Sequence, residues 1–220
     1  MLKAYGKTDV GNVREMNQDD FNCGVLDEEA VFAVVCDGMG GEKGGNIASR
    51  TACDIVTDSV TAAYGSGFGD NSIKRILQTA VTAANVSVFD RSQRDPSLRG
   101  MGTTIVLCII EENNLYIANV GDSRLYHIKK DVINQVTKDH SYVQDLVDKG
   151  IIAPEEAATH PNKNLITKAL GTEIKIEADF FKLDAEPGLK LVLCTDGLSN
   201  FVDDKTIEKT VKENSIEAAN

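Results

Sequence analysis

Apolar residues along this chain occur in short runs that stop at glycine or polar residues. Residues 31–36 form one such run of small and β-branched side chains, which is typical of a strand buried on both faces. Polar turns at residues 27–29, 111–114 and 130–131 separate neighbouring runs, as in β-hairpins. The same pattern predicts further strands at residues 2–10, 21–26, 105–110, 115–120, 124–129, 132–136, 174–183 and 189–194.

Two long segments in the first half of the chain have apolar residues at helical spacing. Small and apolar side chains within residues 47–60 fall on one helical face, and the glycine-rich residues 65–69 end the segment. A second amphipathic helix begins with Asp70 or Asn71 as its cap and continues to Val88. Consecutive helices with strands on both sides favour a layered α+β domain over alternating βαβ units.

The second half of the chain contains a polar, irregular stretch at about residues 138–171. It predicts a short helix at residues 142–149 and another that begins at Pro154. A flap over an active site is often an insertion of this kind, and a plain surface excursion fits the composition equally well. Beyond it, Asp203 or Asp204 is predicted to cap a closing helix.

Three aspartates stand beside a glycine at predicted strand ends: Asp37, Asp122 and Asp196. Asp-Gly is also a very common turn dipeptide, so a single occurrence carries little information. If these strands lie side by side, the carboxylates repel one another and must share a proton or bind cations. Carboxylate and carbonyl oxygens suit Mg²⁺ or Mn²⁺, whereas zinc normally takes His or Cys ligands.

Two further charged residues near the N-terminus are candidates for the same chemistry. Arg14 carries a guanidinium group that could grip a phosphoryl group, and Asp19 offers another carboxylate for a metal shell. An arginine next to Glu15 is equally the pattern of an ordinary solvated ion pair. These residues alone leave both interpretations open.

The composition narrows the class of protein. A chain of 220 residues with 42% hydrophobic content has enough core for one domain. It contains no apolar run of membrane-spanning length and no signal sequence, so we expect a cytoplasmic protein without membrane insertion. The net charge of −11 disfavours a nucleic-acid-binding surface. The five cysteines are odd in number and scattered, which indicates reduced core residues.

Five short motifs, in this order, resemble those of the metal-dependent protein phosphatase 2C family, in particular its bacterial Ser/Thr protein phosphatases. They are Arg14 with Asn17-Gln18-Asp19, Asp37-Gly38-Met39-Gly40-Gly41, Gly102-Thr103-Thr104, Gly121-Asp122-Ser123-Arg124 and Asp196-Gly197-Leu198-Ser199. The resemblance implies an α+β fold, a four-layer αββα sandwich of two antiparallel sheets flanked by helices. It also implies that residues 1–220 are one catalytic domain with a flap at about 138–171.

The resemblance implies roles for individual residues at two Mg²⁺ or Mn²⁺ ions and a third, more weakly bound ion. Asp37 would bridge two ions, the Gly38 carbonyl would hold the second and Asp196 the first. Asp122, together with Asp196, would hold the third. Asp19 would act in or just behind the metal shell, and Asn164 aligns near the third ion.

The function implied by the resemblance is hydrolysis of phosphoserine and phosphothreonine in proteins by a metal-activated water. Asp37, Asp196 and Arg14 would be the catalytic residues, with Arg14 binding the substrate phosphate. We expect a monomer whose partners are phosphorylated proteins, among them a bacterial Ser/Thr kinase and its substrates. One alternative is a phosphatase-like regulatory or binding domain with weak or no activity, and another is a phosphohydrolase acting on a small molecule.

Three features depart from the family pattern. Met39 stands where eukaryotic relatives carry a histidine thought to be the general acid, which leaves water, His140 or His160 to protonate the leaving oxygen. Lys163 occupies a flap position where bacterial relatives tend to have arginine. Family members also continue into a helix and a strand with a Gly-x-Asp-Asn motif that supplies a last metal ligand. We therefore expect the C-terminal helix and strand to be missing from an incomplete domain.

Overall fold

The computed structural model describes residues 2–129 and 132–214 of the chain. The strands are β1 (Asp19–Asp27), β2 (Ala30–Met39), β3 (Gly102–Thr103), β4 (Ile105–Glu111), β5 (Asn114–Val120), β6 (Arg124–Lys129), β7 (Val132–Gln135), β8 (Asp179–Asp184) and β9 (Lys190–Cys194). The helices are α1 (Gly41–Ala63), α2 (Asp70–Arg94), α3 (Tyr142–Asp148), α4 (Pro154–Ala157), α5 (Asp196–Ser199) and α6 (Asp204–Glu213), with a 3-10 turn at Pro96–Leu98.

The strands form two antiparallel sheets. The first has the order β1-β2-β4-β5-β8, and the short strand β3 pairs with β2 beside β4. The second has the order β7-β6-β9. Two antiparallel sheets with helices confirm the predicted α+β class.

The hydrophobic core lies on both faces of the first sheet. On one face, α1 and α2 pack against side chains such as Val34 and Leu107, both fully buried. The other face, with Ile117 among its residues, packs against Leu125 and Leu193 of the second sheet. On the outer side of the second sheet, α6 packs next to β7. The sequence of layers is helix, sheet, sheet, helix, as predicted.

Two predicted strands differ from the structure. Residues 2–10 have an irregular path, although an apolar pattern predicted a strand, because none of the described strands pairs with them. The strand predicted at 174–183 begins only at Asp179. The side chain of Asn85 in α2 donates to the carbonyls of Glu173 and Ile174, which holds the preceding residues in a loop.

Local capping also differs in one place. Gly69 is the N-cap of α2, and Asp70 is its first residue. The Asp70 carboxylate instead accepts hydrogen bonds from Tyr116 and Lys182, which join the helix to β5 and β8. Asp203 does cap α6, because its side chain accepts from the backbone of Thr206. The predicted turn at residues 130–131 lies outside the described residues.

Two further observations bear on the class of protein. In the described part of the chain, no helix is long and apolar enough to cross a membrane. All five cysteines are free thiols, and four of them are buried.

Candidate metal centre

The pairing of β1 with β2 places two carboxylates opposite each other. In this antiparallel ladder Asp19 lies across from Asp37, and Asp20 lies across from Cys36. Like charges that face each other directly on neighbouring strands are destabilising. The fold therefore brings these two acids together at an electrostatic cost.

Asp37 lies within β2 and not at its end, because Gly38 and Met39 continue the strand by pairing with β3. Its backbone is held from both sides by two threonines. The Asp37 amide donates to Thr104 Oγ1 at 2.9 Å, and its carbonyl accepts from Thr103 Oγ1 at 2.9 Å and from the Thr104 amide at 2.8 Å. These bonds fix the position of the aspartate backbone.

Glycines allow the first turn of α1 to lie against the end of β2. A Cβ atom on Gly38 would lie 1.9 Å from the carbonyl oxygen of Gly45, so no larger residue fits there without a shift. Gly40 has a φ of 121°, in the region that favours glycine. The Gln18 side chain closes this corner by donating to the Gly41 carbonyl at 2.7 Å. The backbone around Gly38 is thus closely packed and contributes no side chain.

The remaining acids come from two other strand ends. Asp122 follows β5, and Asp196 follows β9 as the first residue of α5. Thr195 Oγ1 donates to Asp19 Oδ2 at 2.9 Å, which joins the end of β9 in the second sheet to β1 in the first. The acids therefore lie where the ends of both sheets meet.

The four carboxyl groups influence one another electrostatically. Burial, together with the nearby charges of Asp19, Asp196 and Asp122, raises the pKa of Asp37 to about 8. Burial, followed by the charge of Asp196, raises the pKa of Asp122 to about 6. Burial also raises the pKa of Asp19.

Asp19 and Asp37 share a hydrogen bond between their carboxyl groups. It lowers the pKa of Asp19 and raises that of Asp37. Two neighbouring carboxylates that are not neutralised by cations behave in this way. A divalent cation in place of the proton would satisfy the same oxygens.

The donor set fits a hard cation. Among the described residues, no three His, Cys, Asp or Glu side chains are arranged to hold one ion together. An ion here would therefore complete its shell with backbone carbonyls and water. Mg²⁺ and Mn²⁺ accept such shells of carboxylate, carbonyl and water oxygens, whereas zinc sites rely on His and Cys.

Arg14 lies at the edge of this cluster and is exposed. Its Nη1 donates to Gln18 Oε1 at 3.3 Å, and Gln18 in turn bonds to Gly41. Its positive charge lowers the pKa of Asp19, against the larger effect of burial. The guanidinium is therefore near the acids and accessible to a ligand from outside.

Other predicted residues lie elsewhere or are engaged. Asn164 is exposed, and no hydrogen bond joins it to the four acids within the described residues. His160 Nδ1 accepts from the Asn162 amide, and its ring lies 6.0 Å from that of Tyr142. His140 Nδ1 accepts from the Gly121 amide. Neither histidine ring is directed at the acids by a hydrogen bond.

The hydroxyl groups around the acids had no assigned role in the sequence analysis. Thr104 Oγ1 and Ser123 Oγ lie 2.7 Å apart, and both residues are almost completely buried. This contact joins the segment beside Asp37 to the segment of Asp122. The only signal for these residues in the sequence was their position inside the motifs that carry the acids.

The comparisons with known proteins concern the family and the fold. The family model described as protein phosphatase 2C matches residues 12–217. The serine/threonine phosphatase Stp of Listeria innocua is 37% identical over 216 residues, which cover 96% of this chain and 83% of that protein. The crystal structure of the serine/threonine phosphatase Stp1 from Staphylococcus aureus has a TM-score of 0.91 at 37% identity and covers 100% of this chain and 86% of that one.

A second similar structure contains metal. The catalytic domain of the serine/threonine protein phosphatase PstP, solved in complex with two manganese ions, has a TM-score of 0.81 at 31% identity. The match covers 97% of this chain and 86% of that chain.

Proposed function

Because this chain belongs to the protein phosphatase 2C family, we propose that it hydrolyses phosphoserine and phosphothreonine in proteins with the help of bound divalent metal ions. The observation that carries the proposal is the buried carboxyl group of Asp37 with three other carboxyl groups near it; burial and these neighbouring charges together raise the pKa of Asp37 to about 8. Such a cluster is costly without a cation and is the type of ligand set that a hard cation prefers.

The acids would hold more than one ion of Mn²⁺ or Mg²⁺. Asp37, the Gly38 carbonyl and Asp196 would be ligands of these ions. Asp122 would hold a weaker additional ion with Asp196, and Asp19 would act in or behind the shell. When bound, such ions lower the pKa of a coordinated water and neutralise charge on phosphoryl oxygens.

The protein's own groups orient the substrate and the ligands. Arg14 is exposed beside Asp19, where its guanidinium can bind two phosphoryl oxygens at once and stabilise the charge that develops on them. Thr103 and Thr104 fix the Asp37 backbone, and Thr195 orients the Asp19 carboxylate. Cys36, the cysteine next to Asp37, is buried and has a raised pKa through burial, which is unsuited to a thiolate nucleophile.

The substrates would be phosphorylated proteins. We propose that a Ser/Thr kinase and its targets are the physiological partners, that the enzyme acts as a monomer in the cytoplasm, and that residues 138–171 form a flap beside the acids. Five free thiols support a reducing compartment. Asn164 stays a candidate ligand only if this flap closes over the acids.

The test is hydrolysis of a phosphothreonine peptide in the presence and absence of Mn²⁺. We expect activity that depends on Mn²⁺ and is lost with EDTA and in Asp37→Ala. The matched control is Asp58→Asn, which changes an exposed aspartate on α1 and should leave the activity unchanged. Turnover that survives chelation would refute the metal-dependent mechanism, and saturating Mn²⁺ without any turnover would favour a silent regulatory domain.

A further inference from the structure

His140 connects three separate segments through hydrogen bonds. Its amide donates to the Gly121 carbonyl at 3.0 Å, and its Nδ1 accepts from the Gly121 amide at 3.0 Å. Its carbonyl accepts from the Thr167 amide at 2.8 Å, and its Nε2 lies 3.2 Å from Asp179 Oδ2 in β8. His140 thus makes polar contacts through its amide, its carbonyl and both ring nitrogens.

These partners define the tautomer of the ring. Nδ1 accepts a backbone N–H and therefore carries no proton, so the proton is on Nε2, which donates to Asp179. Burial, together with the charge of Lys168, lowers the pKa of His140 and so favours this neutral form. With both nitrogens engaged, the ring is not free to act as the general acid that the sequence left open.

Gly121 is the residue immediately before Asp122, and its surroundings leave it little freedom. It has a φ of 106°, and a Cβ atom there would lie 2.5 Å from the Thr104 side chain. Thr104 contacts Ser123 on the other side of Asp122 and accepts from the Asp37 amide. The Asp122 loop is therefore held by Thr104 on one side and by His140 on the other.

The same junction includes both stems of the flap segment, residues 138–171. Asn119 Nδ2 donates to the carbonyl of Lys138 at 3.1 Å, and His140 lies in the N-terminal stem. Thr167 lies in the C-terminal stem, which the Leu170 amide also joins to the Thr103 carbonyl at 2.8 Å. The stems of the flap are thus bonded to the residues beside two of the acids.

We propose that His140 is a positioning residue that holds the Asp122 carboxylate in place for metal binding and ties the flap to it. This role rests on the proposed function, because it assigns Asp122 to a metal ion. It gives His140 no contact with the substrate or the reacting atoms. Residues that orient a metal ligand from behind typically change metal affinity by about 10- to 100-fold when they are altered.

Two substitutions separate the two sides of the ring. In His140→Asn the side-chain oxygen can take the place of Nδ1 and keep the bond from Gly121, whereas the bond to Asp179 is lost. In His140→Gln the terminal amide can replace Nε2 and keep Asp179, whereas the bond from Gly121 is lost. His127→Asn is the control, because His127 is on β6 and, among the described residues, its ring hydrogen-bonds to the exposed side chain of Asn134.

Calorimetric titration with Mn²⁺ and amide hydrogen exchange of Gly121 are the readouts. We expect His140→Gln to bind Mn²⁺ at its weakest site about tenfold less tightly and to need correspondingly more Mn²⁺ for half-maximal activity. Its Gly121 amide should exchange faster. In His140→Asn and His127→Asn, both quantities should stay within about threefold of the unsubstituted protein. A merely structural role would lower the melting temperature of both His140 variants and leave the Mn²⁺ affinities of their folded forms equal.

Equal Mn²⁺ affinity in the two His140 variants would overturn the proposal. If the variants fail to fold, nitrogen NMR of the unsubstituted protein still decides it, because a protonated Nδ1 at neutral pH would contradict the bond from Gly121. If the unsubstituted protein hydrolyses the substrate and binds Mn²⁺, and His140→Gln binds Mn²⁺ with unchanged affinity, only this inference is refuted. An unsubstituted protein that binds no Mn²⁺ would refute the proposed function as well.

Discussion

The first part of strand β2 and its last part differ in what they contribute. Val34 and Cys36 are fully buried, and they pack against the helices that cover the first sheet. Asp37, the next residue, faces Asp19 across the ladder, and burial together with the charge of Asp19 raises its pKa. The apolar part contributes to stability because it removes hydrophobic surface from water.

The acidic part of the same strand reduces stability as long as no cation is bound. Burial and three neighbouring carboxyl groups raise the pKa of Asp37 to about 8, which reflects the free energy required to ionise it there. A strongly paired β-sheet can tolerate such a group, because its neighbours fix the backbone on which the acid sits. Adjacent residues of β2 thus have opposite effects on the free energy of unfolding: the apolar residues raise it, and the acid proposed to bind metal lowers it.

The largest expected effect comes from removing the charge of Asp37. Asp37→Asn should lower kcat/KM by about 10³-fold, because an amide is a poor ligand for Mn²⁺ and the bridging oxygen is lost. In the absence of metal, the free energy of unfolding of the same variant should be about 1–3 kcal/mol higher than that of the unsubstituted protein, since one repelling acid is gone. Steady-state kinetics and urea denaturation measure the two quantities.

A decrease of both activity and metal-free stability in Asp37→Asn would contradict the view that this acid reduces stability when no cation is bound. The control is Asp58→Asn on the exposed face of α1, which should change neither.

The next largest effect is expected from a substitution that weakens the packing of the apolar part of β2. Leu107 pairs with Val34 in the sheet and is fully buried. Leu107→Ala should lower the free energy of unfolding by about 2–5 kcal/mol, because it removes buried side-chain atoms and leaves a cavity. Under conditions where the variant is folded, its kcat/KM should stay within about twofold of the unsubstituted protein, since no group near the acids changes. A loss of activity per folded molecule would show that the two parts of the strand are not independent.

Arg14 offers a smaller effect that concerns the substrate. Arg14→Ala should lower kcat/KM for a phosphothreonine peptide by about 10²-fold, and Arg14→Lys should recover only part of it, because lysine cannot bind two oxygens side by side. Mn²⁺ affinity measured by calorimetry should change little in either variant. Full activity in Arg14→Ala would assign the exposed guanidinium to an ordinary surface interaction.

The smallest effect is a dependence of metal-free stability on pH. The folded-state pKa values of Asp37 (about 8) and Asp122 (about 6) are raised above those of an unfolded chain. The folded state then binds more protons than the unfolded state, so stability falls as the pH rises from about 4 to about 8. Urea denaturation in EDTA at several pH values should show this decrease, and Asp37→Asn should show a weaker one. A stability that rises with pH over this range would contradict the assignment.

The sequence predicted the first sheet and its two helices well because burial there follows the periodic pattern of apolar residues. It was wrong where neighbouring segments decide the conformation. Residues 2–10 have an apolar pattern but pair with none of the described strands, and Asn85 holds the residues before β8 in a loop. The sequence predicted Asp70 or Asn71 as the cap of α2, but Gly69 is the cap, and Asp70 bonds to Tyr116 and Lys182.

The residues of the candidate site were likewise predictable from the sequence only in part. Acids next to glycine at strand ends are visible in sequence, and the structure brings Asp19, Asp37, Asp122 and Asp196 together. The hydroxyl groups that support them are not visible as a pattern, because Thr104, Ser123 and Thr195 act through contacts between segments far apart in the chain. The role of His140 likewise depends on Gly121 and Asp179, which no sequence spacing relates to it.

We claim that divalent cations replace the protons of the acid cluster and relieve the repulsion among its carboxylates. Calorimetric titration of Mn²⁺ into the metal-free protein at neutral pH, in two buffers of different ionisation enthalpy, measures binding and proton release together. We predict binding of more than one ion with net release of protons, mainly from Asp37, and weaker binding with less proton release in Asp37→Asn. Binding without proton release, or binding that Asp37→Asn leaves unchanged, would contradict the claim.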